Sequence, residues 1–346
     1  MKKYIYTFGN QKHADKLAQA IDPKRFTVAH ILDERPDKPG FAKSAEKIVE
    51  LFEQHYETTQ DIAAFINFGR GTVIGGLEGI ARSWEIIREK YPDIAKTKYM
   101  GPSYKAAKIF FDKALTYNFL NEMGVPTPRT KLLGKGDAKQ IRLELEKEEF
   151  PFPAVIKATH LSGGQGMNLV PTLEDFEAAY NELRANESYE LVLSEFVEGP
   201  EASFALLRLG DTFLRIPLSY KDQTTLELKH SDCKVKMAGI FTEFEPVYQY
   251  LETIMRKESI SGLLYLQAIL QKTSEGEYVC KFIEGETRLT GSSPISFSAL
   301  KGFDFYKTLA AWIESGEINF SYENRLCIQY ASYVHHGESD VTKLLA

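Results

Sequence analysis

The chain has 346 residues, of which 43% are hydrophobic, 26% charged and 12% aromatic. That is a globular composition on a chain too long for one ordinary core, so two or three subdomains are expected. A net charge of −6 argues against a nucleic-acid groove as the main function.

No apolar run reaches the length needed to cross a bilayer. The segment Met1–Gly9 enters a short strand where a secretory leader would carry a long apolar stretch. No membrane role is expected. Cys233, Cys280 and Cys327 are odd in number and far apart, which fits neither a disulfide framework nor a zinc site. The expected setting is reducing cytoplasm.

Apolar runs at Tyr4–Phe8, Phe26–Leu32 and Ala63–Phe68 alternate with helical stretches at Lys12–Ile21 and Ala42–His55. This alternation predicts a doubly wound parallel sheet and an α/β domain over residues 1–102. Ligands of such sheets sit at the carboxyl ends of strands. The loop from Phe68 to Gly76 lies at such an end, with several glycines and Arg70. It reads either as an acceptor for an anionic substrate group or as a tight strand–helix turn. Glu34–Gly40 reads as an exposed loop.

Ser103 can cap a helix expected to run to about Met123, where Gly124-Val-Pro-Thr-Pro128 stops it. Residues 129–196 follow the pattern strand, helix, strand, glycine loop, strand, helix, strand. Further strands are expected at Glu201–Arg208, Phe213–Leu218, Gly262–Gln271 and Tyr278–Glu284, with helices at Glu245–Lys257 and Ser298–Ile313. No internal repeat or low-complexity segment is present.

The run from Tyr278 to Gly291 carries the most chemical information. Glu284, Glu286 and Arg288 are two residues apart, which on a strand puts them on one face. Two carboxylates and a guanidinium there suit Mg²⁺ and a transferring phosphoryl group. The competing reading is a solvated strand edge of alternating charge.

A second group lies upstream. Pro153-Ala-Val-Ile-Lys-Ala158 is a short apolar strand ending at Lys157, followed by Gly163, Gly164 and Gly166. Glycines there let a hairpin close over phosphates with bare backbone N–H groups, beside a lysine that neutralises charge. The pattern is neither a P-loop nor a dinucleotide fingerprint. In Leu191–Ser203, extended backbone at Glu195 and Val197 can pair with an adenine edge, and Glu201 can accept from ribose hydroxyls. Glu198 and Glu201 also read as ordinary turn acids.

Taken in order, Lys113 on its helix, Lys157 on its strand, the glycine loop, Glu195-Phe-Val-Glu-Gly-Pro-Glu201 and Glu284-Gly-Glu-Thr-Arg288 resemble the ATP-grasp ligases. Among these, glycinamide ribonucleotide synthetase (phosphoribosylamine–glycine ligase) is the nearest likeness. Gly101-Pro-Ser-Tyr-Lys-Ala-Ala107 and Asp112-Lys113 look like its entry segment. Ser261–Gln267 and Ile283–Arg288 resemble its metal-binding strands, as also found in carbamoyl phosphate synthetase. The likeness covers about residues 100–305.

The resemblance implies an α+β, two-lobed ATP-grasp domain over 103–346, following the N-terminal sheet, with a mobile lid at about 129–196. It implies an ATP-dependent carboxylate–amine ligase that passes through an acyl phosphate and takes small-molecule carboxylate and amine substrates. Lys113 and Lys157 would contact ATP phosphates, Glu195 and Val197 adenine, and Glu201 ribose. Gln267, Glu284 and Glu286 would bind Mg²⁺, or Mn²⁺ in its place, with Arg288 at the transferred group. A homodimer is common in that family. The alternatives are a nucleotide-binding module without turnover and a phosphotransferase that stops at the phosphorylated product.

Departures from the family concentrate in the acceptor-binding parts. Glu286 stands where the family has asparagine, and Gln165 where a loop lysine is frequent. Phe8-Gly-Asn-Gln-Lys-His13 keeps one glycine of a glycine-rich turn, and Ser219-Tyr-Lys-Asp-Gln223 keeps only Lys221 of a basic substrate motif. The chain is also expected to lack the family's fuller C-terminal domain.

Overall fold

Strands β1 (Lys3–Gly9), β2 (Phe26–Asp33), β3 (Ile62–Phe68) and β4 (Lys98–Met100) form a parallel sheet in the order β2-β1-β3-β4. Side chains alternate across it, as a pleated backbone requires. Ile5, Ala64 and Ile66 face Leu17 and Ile21 at helix α1 (Gln11–Ala20). Tyr6, Phe8 and Phe65 face α2 (Ala45–Tyr56) and α3 (Leu77–Lys90) through Phe52, Ile80 and Trp84. The sheet is therefore covered on both faces, as the alternating pattern predicts. Each fully buried ring such as Phe52 contributes roughly 1.5–3 kcal/mol. The computed structural model describes residues 2–33, 44–56, 61–69, 76–161, 165–221, 233–237, 244–290, 293–318, 320 and 330–333. The predicted loop at 34–40 and most of the loop after Phe68, including Arg70, lie outside them.

The helix expected from Ser103 to Met123 is two helices, α4 (Tyr104–Phe111) and α5 (Lys113–Glu122). Asp112 between them is extended, with φ −107° and ψ 124°, and its Oδ1 accepts from the Leu115 N–H at 2.9 Å. Such an N-cap is worth about 1 kcal/mol. It restarts the helix with Lys113 at its first position.

A separate antiparallel sheet, ordered β5-β8-β6-β7, follows from β5 (Thr130–Leu133), β6 (Ala154–Ala158), β7 (Met167–Val170) and β8 (Leu191–Glu195). Helices α6 (Ala138–Lys147) and α7 (Phe176–Arg184) pack on it around Leu145, Ile156, Phe176 and Leu193. This is the order of elements expected for 129–196, with its own core.

The largest sheet contains β9 (Glu201–Leu209), β10 (Thr212–Lys221), β11 (Cys233–Met237), β12 (Gly262–Lys272), β13 (Tyr278–Glu286) and β14 (Tyr330–Tyr333), in the order β13-β12-β9-β10-β11-β14. One face of its centre, with Leu207, Leu263 and Tyr265, meets the N-terminal sheet and helix α10 (Phe305–Ser315). The other, with Phe204, Leu264 and Leu266, meets α4, α5 and α8 (Glu245–Lys257). The predicted helix over Ser298–Ile313 is instead α9 (Ser293–Ser298) and α10. Asp304 makes the break by capping α10, accepting from the N–H groups of Tyr306 and Lys307 at 2.9 and 3.1 Å. No helix among the described residues is long and apolar enough to cross a membrane.

Candidate active site

In β12 and β13, Gln267 pairs with Glu284, and Tyr265 with Glu286. Residues directly opposite share a face, so Gln267, Glu284 and Glu286 project together. Gly285 and Leu266 project from the other face, where Phe110 of α4 lies so close that a Cβ on Gly285 would stand 2.4 Å from the ring. The missing side chain lets α4 seat directly behind the two glutamates. Strand β13 ends at Glu286, so Arg288 sits in a bend just beyond and not on the strand. It nonetheless reaches the same place: its guanidinium donates to Glu286 Oε1 at 2.8 Å.

Lys113 joins them from α5. Its residue is only 8% exposed, and its Nζ lies 3.3 Å from Glu284 Oε1 while donating to the Leu161 carbonyl. Its backbone N–H donates to Thr159 O at 2.9 Å. The start of α5 is thus fastened to the chain leaving β6, and Lys113, which the resemblance assigns to ATP phosphates, is a buried cation. An open cleft of about 440 Å³ is lined by Lys113, His160, Glu284, Glu286, Thr287 and Arg288, among others.

Burial raises the pKa of the Glu286 carboxyl, against the pull of Arg288 and Lys113 and with repulsion from Glu284. Its Oε2 is buried without a hydrogen-bond partner, as is the Thr287 hydroxyl. An orphaned buried carboxylate oxygen is costly unless something else completes it. Among the described residues no group of three or more His, Cys, Asp or Glu side chains gathers to hold a metal. Two carboxylates with the Gln267 amide do fit Mg²⁺, which takes one or two carboxylates and draws its other oxygens from phosphates and water.

The other predicted site residues are placed as follows. Lys157, next to last in β6, is buried, its Nζ 3.2 Å from the Tyr117 hydroxyl of α5. Gly163 and Gly164 lie outside the described residues, while Gly166 has φ +60° and packs against Leu161 and Ala158. The Glu195 carboxylate and N–H are both used by the Arg129 backbone, at 3.0 and 2.8 Å. The Phe196 N–H goes to Pro153 O at 3.0 Å. Val197, 5% exposed, follows with no hydrogen bond to its N–H among the described residues. Glu201 opens β9 opposite Ile269. The cleft brings together Lys113, Glu284, Glu286 and Arg288, with Gln267 opposite Glu284; its lining does not include Lys157, Glu195, Val197 or Glu201.

Sequence reasoning pointed to only one edge, at Phe68 and Gly69, of a second cleft of about 390 Å³ between the N-terminal and largest sheets. It is reached by His13, Gly69, Gly101 and Ser261, and it shares Thr287 and Arg288 with the first. The available signal was positional, since Gly69 follows β3 at the carboxyl end of the parallel sheet.

Residues 111–240 match the ATP-grasp (A) domain of phosphoribosylglycinamide synthetase. A carbamoyl-phosphate synthase of Methanobrevibacter smithii is 32% identical over 140 residues, 40% of this chain and 35% of that one. A D-alanine–D-alanine ligase of Ectopseudomonas mendocina is 25% identical over 255 residues, 72% of this chain and 76% of that one. Among solved structures, the biotin carboxylase domain dimer of Hydrogenobacter thermophilus 2-oxoglutarate carboxylase, in complex with MgADP, ADP and bicarbonate, superposes with a TM-score of 0.68. That match has 18% identity over 95% of this chain and 73% of that one. The chain spans only about a third of the length of the synthase it matches. Fold, order of motifs and family match agree: residues 111–240 match an ATP-grasp domain, and the chain as a whole shares the fold of the biotin carboxylase domain.

Proposed function

We propose that the chain is an ATP-dependent carboxylate–amine ligase, forming an amide through an acyl phosphate with release of ADP and phosphate. The observation carrying this reading is the cleft where Lys113, Glu284, Glu286 and Arg288 converge, with Gln267 opposite Glu284. A small-molecule carboxylate attacks the γ-phosphorus of ATP, and an amine then attacks the acyl carbon and displaces phosphate.

Lys113 and Lys157 bind phosphate oxygens, with Gly163, Gly164 and Gly166 offering backbone N–H groups above them. The free N–H of Val197 takes the adenine edge, flanked by Glu195, and Glu201 takes the ribose. Gln267, Glu284 and Glu286 would hold Mg²⁺, or Mn²⁺ in its place. Bound there, the cation neutralises charge on the β- and γ-phosphates. Arg288, which donates to Glu286 in this structure, would meet charge developing on the transferred group.

The four-stranded unit of residues 130–195 acts as the lid, excluding water from the acyl phosphate. Lys113 is the tie between this lid and the metal strand, since it touches both Leu161 and Glu284. The reducing cytoplasm is the proposed setting, in keeping with the unpaired Cys280 thiol.

The test is Mg²⁺-dependent ADP release from purified protein with pooled carboxylic acids and amines, beside a Glu284→Ala control. Release needing both pools, and lost in the control, is the expected result. Release with acid alone would favour the phosphotransferase alternative, and none with any pool would favour the binding module.

A further inference from the structure

The second cleft has a chemistry of its own. Five of its lining side chains are apolar: Phe68, Met100, Leu263, Leu289 and Phe305. Among the described residues, Arg288 is its one formally charged group, and no Lys, Asp or Glu lines it. His13 is held at one side by the Tyr306 hydroxyl, 2.5 Å from its Nδ1. Asn67 has one donor hydrogen and one acceptor site already engaged. Its Oδ1 accepts from the Gly69 N–H at 2.9 Å, and its Nδ2 donates to Leu77 O at 3.2 Å.

Such a lining discriminates. A phosphorylated sugar brings two negative charges and a dicarboxylate brings two separated ones, and each needs more than one cation when desolvated. A monocarboxylate with an apolar side chain needs one cation at its head and a greasy wall for its tail. The cleft supplies both.

Its head lies at the seam with the nucleotide cleft, because Thr287 and Arg288 line both. Thr287 is 4% exposed, and its hydroxyl is buried without a partner. A buried O–H at a junction of two clefts is a donor waiting for an acceptor.

Resting on the ligase reading, we infer that the second cleft binds the carboxylate substrate, that this substrate is a monocarboxylate with an apolar side chain, and that the Thr287 hydroxyl positions its carboxylate for transfer. One carboxylate oxygen then forms the bond to the γ-phosphorus. The bond from that phosphorus to the β–γ bridging oxygen breaks, its electron pair leaving with ADP, and no proton moves in the step. Arg288 holds the acid and transferred phosphoryl group in line.

The experiment measures Mg²⁺-dependent ADP release against three acid panels, with a pooled amine present. They are apolar monocarboxylates (aliphatic and aromatic α-amino acids and their deaminated counterparts), dicarboxylates, and phosphorylated acids. The apolar panel is expected to give a kcat/KM at least tenfold above the others. Thr287→Val, which keeps the shape and removes the donor, is expected to raise the KM for the acid about tenfold, the loss of one hydrogen bond to a charged group. The effect on kcat should be smaller, and Thr287→Ser should restore the KM. Leu289→Arg adds a second cation at a partly buried position and is expected to move preference toward dicarboxylates.

ADP release driven best by dicarboxylates or phosphorylated acids would overturn this inference while leaving the ligase reading intact. An unchanged acid KM in Thr287→Val would remove the positioning role of the hydroxyl. No release with any acid would overturn the ligase reading itself, and this inference with it.

Discussion

Gly285 is the point at which packing and chemistry meet. Replacing it with alanine would place a Cβ 2.4 Å from Phe110 Cδ1 and 2.8 Å from Cε1. Carbon atoms in contact sit about 3.5–4.0 Å apart, so the overlap exceeds about 1 Å. Phe110 has little room to yield: it is 7% exposed and lies edge-on to Phe119 at 5.8 Å between ring centroids. Overpacking of this kind costs roughly 1–3 kcal/mol. The strain is relieved most directly by moving the end of β13, which carries Glu284 and Glu286 with it. A displacement of about 1 Å in a catalytic group lowers turnover on the order of a hundredfold. Urea unfolding should therefore show Gly285→Ala less stable by that amount, and ADP release should fall further than stability explains. Gly285→Ala with Phe110→Leu should recover part of both. A Gly285→Ala protein as stable and as active as the parent would refute the argument that Phe110 seats the glutamates.

Three further outcomes are expected. Lys113→Met should weaken MgATP binding in calorimetry and cost roughly 1–3 kcal/mol in urea unfolding. It strips a hydrogen bond from Leu161 O and the partner of Glu284, although that carboxylate keeps 27% exposure and so some water. Arg288→Ala should lower kcat for ADP release far more than ATP affinity, because its target charge develops during transfer; a collapse of ATP binding alone would make it a ground-state ligand. For pH, the Glu53 carboxyl is held below its ordinary 4.5 by a hydrogen bond from Lys90, against the opposing effect of burial. The folded state thus binds fewer protons than the unfolded one in that window. The contribution is present above pH 4.5 and is lost as pH falls through the lowered value. Thermal unfolding of Glu53→Gln and parent should converge in acid; a constant gap across pH 2 to 7 would contradict this.

Much of the fold was legible because it rests on local periodicity. The alternation of Tyr4–Phe8, Phe26–Leu32 and Ala63–Phe68 with helical stretches anticipated the parallel sheet, and residues 129–196 follow the expected order of elements. The breaks at Asp112 and Asp304 were not legible. An aspartate inside a helical pattern looks the same whether it is exposed mid-helix or turned to cap the next helix. β4, β11 and β14 are short and take their place from partners far along the chain, and α3 was not anticipated.

In the site, the charged triplet was read from its spacing, although Arg288 reaches the cleft from a bend and not from the strand. The burial of Lys113 was hidden because it depends on Leu161 and Glu284, which lie 48 and 171 positions downstream by their numbers. The rest of the second cleft was hidden for the same reason, being assembled from both sheets.

The central claim is that phosphoryl transfer to a carboxylate precedes amide formation. It is tested most directly by running the complete reaction with an acid labelled in its carboxylate with oxygen-18 and examining the released phosphate by mass spectrometry. The account predicts one labelled oxygen in each phosphate, delivered when the amine displaces it from the acyl carbon. Phosphate free of label, in a reaction that still makes ADP, would contradict the acyl phosphate and with it the ligase mechanism.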